Sequence, residues 1–139
     1  MRKYSTTLAL AAALALILSG CGGTNNKPST SINVTMTDFA YSPNAFTVPA
    51  GQQISFKAQN NGAVAHSFII MQAGHEIKDH FTDADKANVY WEQAEVDPGQ
   101  SAQASFAAPA QPGTYQIVCG NGGHFEAGMV AKLVVVPGQ

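Results

Sequence analysis

The chain has 139 residues, with seven basic side chains against nine acidic ones, a formal charge of −2 at neutral pH. Without the two basic residues at its extreme N-terminus the balance is five against nine, or −4, which argues against nucleic acid as a partner. Beyond residue 31 just over a hundred residues remain, a normal size for a single domain, and no internal repeat is evident.

In chain order, Arg2 and Lys3 precede an apolar run at 8–18, then Ser19 and Gly20, so residues 1–20 read as an export signal. The run is shorter than the roughly 20 apolar residues that a membrane-spanning helix needs. The sequence Leu18-Ser19-Gly20-Cys21 resembles the lipobox of bacterial lipoproteins, which implies lipid on Cys21 and a protein held at the periplasmic or other extracytoplasmic face of a membrane. Residues 21–31 are mostly Gly, Thr, Asn, Pro and Ser, a composition that cannot bury enough apolar surface to fold, and read as a flexible tether. The chain has two cysteines, so lipid on Cys21 leaves Cys119 without a disulfide partner. An unpaired thiol is a liability in an oxidising compartment, and metal ligation accounts for Cys119 better than a bridge from a loose tail.

From residue 32 to 139 the pattern is that of one all-β domain. Expected strands lie at 32–37, 46–48, 53–59, 66–71, 94–96, 102–107, 114–118 and 130–136. Turn signals separate them: Pro49-Ala50-Gly51, Asp97-Pro98-Gly99 and Gln111-Pro112-Gly113. About eight short strands with Gly and Pro turns make a β-sandwich, with Phe56, Phe68, Ile70, Phe106, Ile117 and Val134 expected in its core. Residues 74–91 break the pattern. Their polar, charge-mixed middle, free of Gly and Pro from 75 onward, reads as a short helix or irregular insertion. His75 and His80 in this segment are expected to be solvated.

The most informative stretch is Cys119-Gly-Asn-Gly-Gly-His-Phe-Glu-Ala-Gly-Met129, between two apolar strands. Its glycines permit tight or positive-φ backbone, so that a thiol, an imidazole and a thioether can converge. Those donors suit copper cycling between Cu(I) and Cu(II), provided a second imidazole completes a trigonal plane. His66, which opens a strand after Asn60-Asn61-Gly62, is the best source.

These residues together resemble the blue-copper cupredoxins of the plastocyanin and azurin superfamily, and most closely the auracyanins. The Asn-Asn turn before the first His, the Cys119–His124 and His124–Met129 intervals, and Ala127-Gly128-Met129-Val130 leading into a terminal strand all agree. The resemblance covers roughly residues 31–139. It implies a Greek-key sandwich and one mononuclear type 1 copper held by His66, Cys119, His124 and Met129, with the Ala65 carbonyl near the metal. It also implies a monomeric electron carrier rather than an enzyme. Its partners would be a quinol-oxidising complex upstream and a photosynthetic reaction centre or terminal oxidase downstream. The electron would cross at the edge of His124, through an apolar patch formed by Phe125 with Ala63, Val64 and Ala127. Two departures bear on the reduction potential. Ser67 stands where many members have Asn, and no proline lies between Cys119 and His124.

Other chemistries fit less well. A thiol hydrolase with Cys119 as nucleophile needs an oriented base and an oxyanion hole and gives Met129 no role. A binuclear copper centre needs a second cysteine in the loop, and a multicopper oxidase needs several domains. Structural zinc prefers four strong ligands. A phosphate cradle at 120–123 fails because a strand, not a helix, follows. A copper-storing or copper-delivering lipoprotein is the main alternative function, although such proteins favour open Met- or His-rich sites.

Overall fold

The computed structural model describes residues 27–138. Nine strands form two facing sheets. β1 (Ser31–Thr37), β2 (Ala40–Ser42), β4 (Gln53–Asn60) and β7 (Ser101–Ala107) make one sheet in the order β2-β1-β4-β7. β3 (Ala45–Pro49), β5 (His66–Met71), β6 (Val89–Val96), β8 (Gly113–Val118) and β9 (Val130–Val136) make the other, in the order β3-β9-β8-β5-β6. The pairs β1–β4 and β3–β9 are parallel and the rest antiparallel, so the chain crosses between sheets repeatedly instead of meandering within one.

Alternation decides which face of each strand is buried. In β1, Ile32, Val34 and Met36 point inward, and in β4, Ile54, Phe56 and Ala58 do so. β5 is buried at all six positions, as befits a strand covered on both faces. Phe68 of β5 sits at the centre, with Tyr41, Phe46 and Phe56 around it at ring-centroid distances of 5.4, 5.8 and 4.9 Å. Trp91 stacks on Phe106 at 4.4 Å and closes one side of the sandwich. Full burial of a ring such as Phe68 contributes about 3 kcal/mol.

The all-β sandwich and its eight expected strands are present, with four differences. The three-residue β2 is too short to give a period and was not expected. β6 begins at Val89, not at 94, because Tyr90, Trp91 and Glu92 form an edge strand whose outer face is polar and whose pattern resembles a loop. Val134 is only half-buried, while its neighbours Leu133 and Val135 fill the core: in the continuous apolar run of β9, composition alone does not set the phase. Finally, the end of the expected tether is already tied down. Ser29 donates its N–H to Thr47 O at 2.9 Å, and Thr30 O accepts from Ser55 at 2.8 Å. The expected export signal, Cys21 and most of the tether lie outside the described residues.

The insertion contains a 3₁₀ helix, Asp83–Asn88, opened by Thr82, whose N–H donates to the Asp85 carboxylate at 2.8 Å. His75 and His80 are exposed, as expected.

Candidate metal centre

The site lies at the end of the five-stranded sheet where β5 and β8 part. These strands pair only at Ile69–Val118 and Ile70–Ile117. Beyond those rungs, His66 at the start of β5 and Cys119 just past the end of β8 face each other across the gap. The backbone N–H of Ser67, which has no ladder partner on β8, donates to Cys119 Sγ at 3.4 Å. The sheet therefore supplies the Cys119 sulfur with a fixed amide donor.

The loop at 119–129 folds back over this gap. His124 N–H donates to Asn121 O at 3.2 Å and Met129 N–H to His124 O at 2.9 Å, which locks the imidazole and the thioether into one turn. Gly123 and Gly128 adopt φ of 83° and 98°, a left-handed backbone that a bulky residue would resist, so the loop reverses twice within six residues. Gly120 has a different reason to be glycine: a Cβ there would come within 2.9 Å of Ile69 Cδ1.

The donor atoms converge. Cys119 Sγ lies 3.3 Å from His124 Nδ1, and His124 Nδ1 lies 3.2 Å from His66 Nδ1. Side-chain donors of these three residues all fall within 4.8 Å of one another. Cys119, His66 and Met129 are 0% exposed and His124 only 8%. Burial lowers the pKa of His124, and the neighbouring His66 lowers it further, favouring the neutral imidazole that a metal needs. Cys119 is a free cysteine and is fully buried, a poor position for a nucleophile that must meet a substrate.

A buried cysteine sulfur, two imidazole Nδ1 atoms and a buried thioether at the loop's end form a set that copper fits. His66, Cys119, His124 and Met129 are arranged as a type 1 copper site.

Around these four residues lies a shell of polar groups, partly unforeseen. Ser67 ties the ligand loops together in place of an Asn: its Oγ accepts from Gly120 N–H at 2.8 Å and lies 3.6 Å from Cys119 Sγ. A second tie comes from Asn121, whose Nδ2 donates to Ala65 O at 2.8 Å, so the expected carbonyl is already a hydrogen-bond acceptor. Tyr41 donates its hydroxyl to Ser67 O at 2.6 Å, and its pKa is pushed well up, chiefly by burial and then by the nearby Cys119. Asp38 Oδ1 accepts from Ala63 N–H at 2.9 Å and meets His66 Nε2 at 3.3 Å. The Ala63 bond is the main cause holding the Asp38 carboxyl below its usual range.

At the surface, the edge of His124 carries Phe39. The two rings meet edge-on at 5.2 Å, and Phe39 is 46% exposed. Ala63, Val64 and Ala127 are exposed. Phe125 is half-buried and packs on a separate apolar cluster of Ile69, Met71, Ile77 and Val118. Neither Asp38 nor Phe39 was legible in the sequence. Both sit in the β1–β2 turn, where Phe39 holds φ at 66°, a conformation that is rare for a bulky residue and marks a site under constraint.

The fold and the donor set together define a mononuclear blue-copper protein. The chain belongs to the cupredoxin-like family, whose domain model matches residues 8–135. Within that family it is similar to the auracyanins. It is 29% identical to auracyanin-A of Chloroflexus aurantiacus, over 92% of this chain and 94% of the relative. The crystal structure of dithionite-reduced auracyanin from Roseiflexus castenholzii superposes with a TM-score of 0.69 at 30% identity, covering 79% of this chain and 99% of the other. The chain is also 30% identical to the copper-resistant cuproprotein CopI of Rubrivivax gelatinosus, over 84% of this chain and 72% of CopI. Among the described residues, no helix is long and apolar enough to cross a membrane.

Proposed function

We propose that the protein is an exported one-electron carrier, held at the outer side of a membrane by lipid on Cys21 and exchanging electrons with membrane-associated redox complexes. Cys119, His66, His124 and Met129 would hold the copper, which would supply a Cu(I)/Cu(II) couple. The protein's part is to hold the donors still. Cys119 is pinned by the Ser67 amide, His124 by its turn, and His66 at a strand start, so neither oxidation state has to rearrange the polypeptide.

The observation that carries this reading is the asymmetry of the site. Three of its four residues are fully enclosed, whereas His124 retains a little exposure beside Phe39. No buried polar atom among the described residues lacks a partner, and His124 Nε2 has no hydrogen bond, so this edge of the ring meets the surface. A small apolar patch at such an edge suits a weak interface from which a partner leaves quickly. The donor would be a quinol-oxidising complex, and the acceptor a photosynthetic reaction centre or terminal oxidase.

Loading the purified protein with Cu(II) tests this: it should turn intensely blue and bleach reversibly on reduction. Cys119→Ser should abolish the band. A wild type that stays colourless, or a Cys119 variant that stays blue, would refute the assignment.

A second reading, copper handling in metal tolerance, draws support from the similarity to CopI. Exchange separates the two. An enclosed carrier releases Cu(I) to a chelator far more slowly than it exchanges electrons, whereas a delivery protein hands the ion over readily.

A further inference from the structure

We propose that Asp38 is a positioning residue for the metal centre: its carboxylate fixes the tautomer of His66 and, through the ring, lowers the reduction potential of the bound copper. The inference rests on the copper reading above, and concerns a residue outside the ligand set.

Its basis is a contact that fits only one tautomer. Asp38 Oδ1 lies 3.3 Å from His66 Nε2, and the His66 ring is fully buried, while the Asp38 side chain is 40% exposed. An ionised carboxylate only accepts, so Nε2 must carry the proton. That leaves Nδ1 with its lone pair, and Nδ1 is the atom that faces His124 Nδ1 across 3.2 Å, inside the donor cluster. A metal-ligating imidazole whose other nitrogen donates to a carboxylate is both oriented and made more basic.

The carboxylate is itself held. The Ala63 N–H donates to the same Oδ1 at 2.9 Å, so the oxygen bridges a loop amide and the ligand ring. Gly62 makes the approach possible. A Cβ on this residue would overlap Asp38 Oδ1 and come within 2.8 Å of His66 Nε2 and 3.0 Å of the Asp38 backbone nitrogen. Its φ is not among the positive ones, so its need for glycine is a matter of space and not of backbone conformation. Gly62 in turn is set by Asn60, whose Oδ1 accepts the Gly62 N–H at 2.8 Å. Asn60, Gly62, Ala63 and Asp38 thus form one chain of contacts ending on His66.

The consequence for potential follows from charge. A negative group hydrogen-bonded to a ligand favours the more positive oxidation state, so Asp38 strengthens Cu(II) binding more than Cu(I) binding. Removing partners of this kind costs about 10- to 100-fold in metal affinity. If the loss falls mainly on Cu(II), the smaller figure converts to a rise in potential of about 59 mV for a one-electron couple.

Three variants separate charge from orientation. Asp38→Asn keeps an oxygen acceptor but removes the charge, so the tautomer should hold while the potential rises by the tenfold equivalent. Asp38→Ala removes both, so the tautomer should become mixed and the potential rise as well. Gly62→Ala keeps the carboxylate but drives it off Nε2, and should mix the tautomer without altering the protein's charge. The tautomer is read on the metal-free protein by long-range proton–nitrogen NMR of His66, and the potential by redox titration of the blue band. An Nδ1-protonated His66 in the wild type, an Asp38→Asn variant with the wild-type potential, or a Gly62→Ala variant with the wild-type tautomer would overturn the proposal. Failure of the wild type to turn blue would overturn the copper reading instead, and the NMR measurement would still decide the role of Asp38.

Discussion

Asn60 offers the sharpest test of how the scaffold holds the centre. Its side chain is fully buried at the end of β4 and makes three hydrogen bonds. Nδ2 donates to Val64 O at 2.8 Å and to Val96 O at 2.7 Å, and Oδ1 accepts from Gly62 N–H at 2.8 Å. Together they clamp residues 61–65, which lead directly into His66, onto the end of β6. Asn60→Ala leaves two carbonyls and one amide without these partners. At about 1 kcal/mol net for each bond the loss is about 3 kcal/mol, a large share of the 5–15 kcal/mol that typically holds a domain together. In thermal unfolding this lowers the midpoint by about 10 °C. Trp91, the only tryptophan and stacked on Phe106, is the natural fluorescence reporter. Asn60→Asp adds a sign to the test. It keeps one acceptor but points a carboxylate oxygen at two carbonyls, which raises the carboxyl pKa in the folded state. The folded variant then binds more protons than the unfolded one, so its stability falls as pH rises through the carboxylate range. A midpoint within about 3 °C of wild type for Asn60→Ala, or an Asp variant that grows more stable as pH rises, would refute the clamp.

Other outcomes follow from the same geometry. Met129→Gln should keep the blue colour and shift the potential, because a weak thioether donor would tune a centre whose strong ligands are Cys119, His66 and His124; loss of copper binding would show that Met129 is structural. Phe39→Lys should slow electron transfer to a physiological partner while leaving the visible spectrum unchanged, since it places a charge on the patch beside His124; unchanged kinetics in stopped-flow mixing would exclude Phe39 from the docking surface. Cys21→Ser should move the protein from the membrane to the soluble fraction with its copper spectrum intact, and a wild type found soluble with an unmodified N-terminus would count against the anchor.

Much of this protein is written locally. The thiol, imidazole and thioether of residues 119–129 are neighbours in the chain, and the glycines among them give the loop freedom to fold back. For that reason three of the four site residues can be read without a fold. His66 is also legible, because it opens a strand after a strong turn signal. The alternation in β1, β4 and β7 identifies the sandwich for the same reason: side chains two apart share a face whatever else the chain does. Where a strand is apolar throughout, as in β9, local pattern is silent about phase, and only packing selects Leu133 and Val135 over Val134.

What the sequence leaves open is everything that depends on distant segments meeting. That β5 and β8 stop pairing just before the ligands, freeing the Ser67 amide for the Cys119 sulfur, is a property of the sheet and not of either strand. That Asp38 touches His66, and Phe39 covers His124, depends on a turn 28 residues upstream of His66 arriving at the same end of the sandwich. Neither residue stands in a motif. Gly62 shows the limit most clearly: as a sequence feature it reads as part of a turn, yet the reason it must lack a side chain is a carboxylate brought to it by another strand pair. Short-range order chose the ligands, and the long-range contacts of two crossed-over sheets determine what surrounds them.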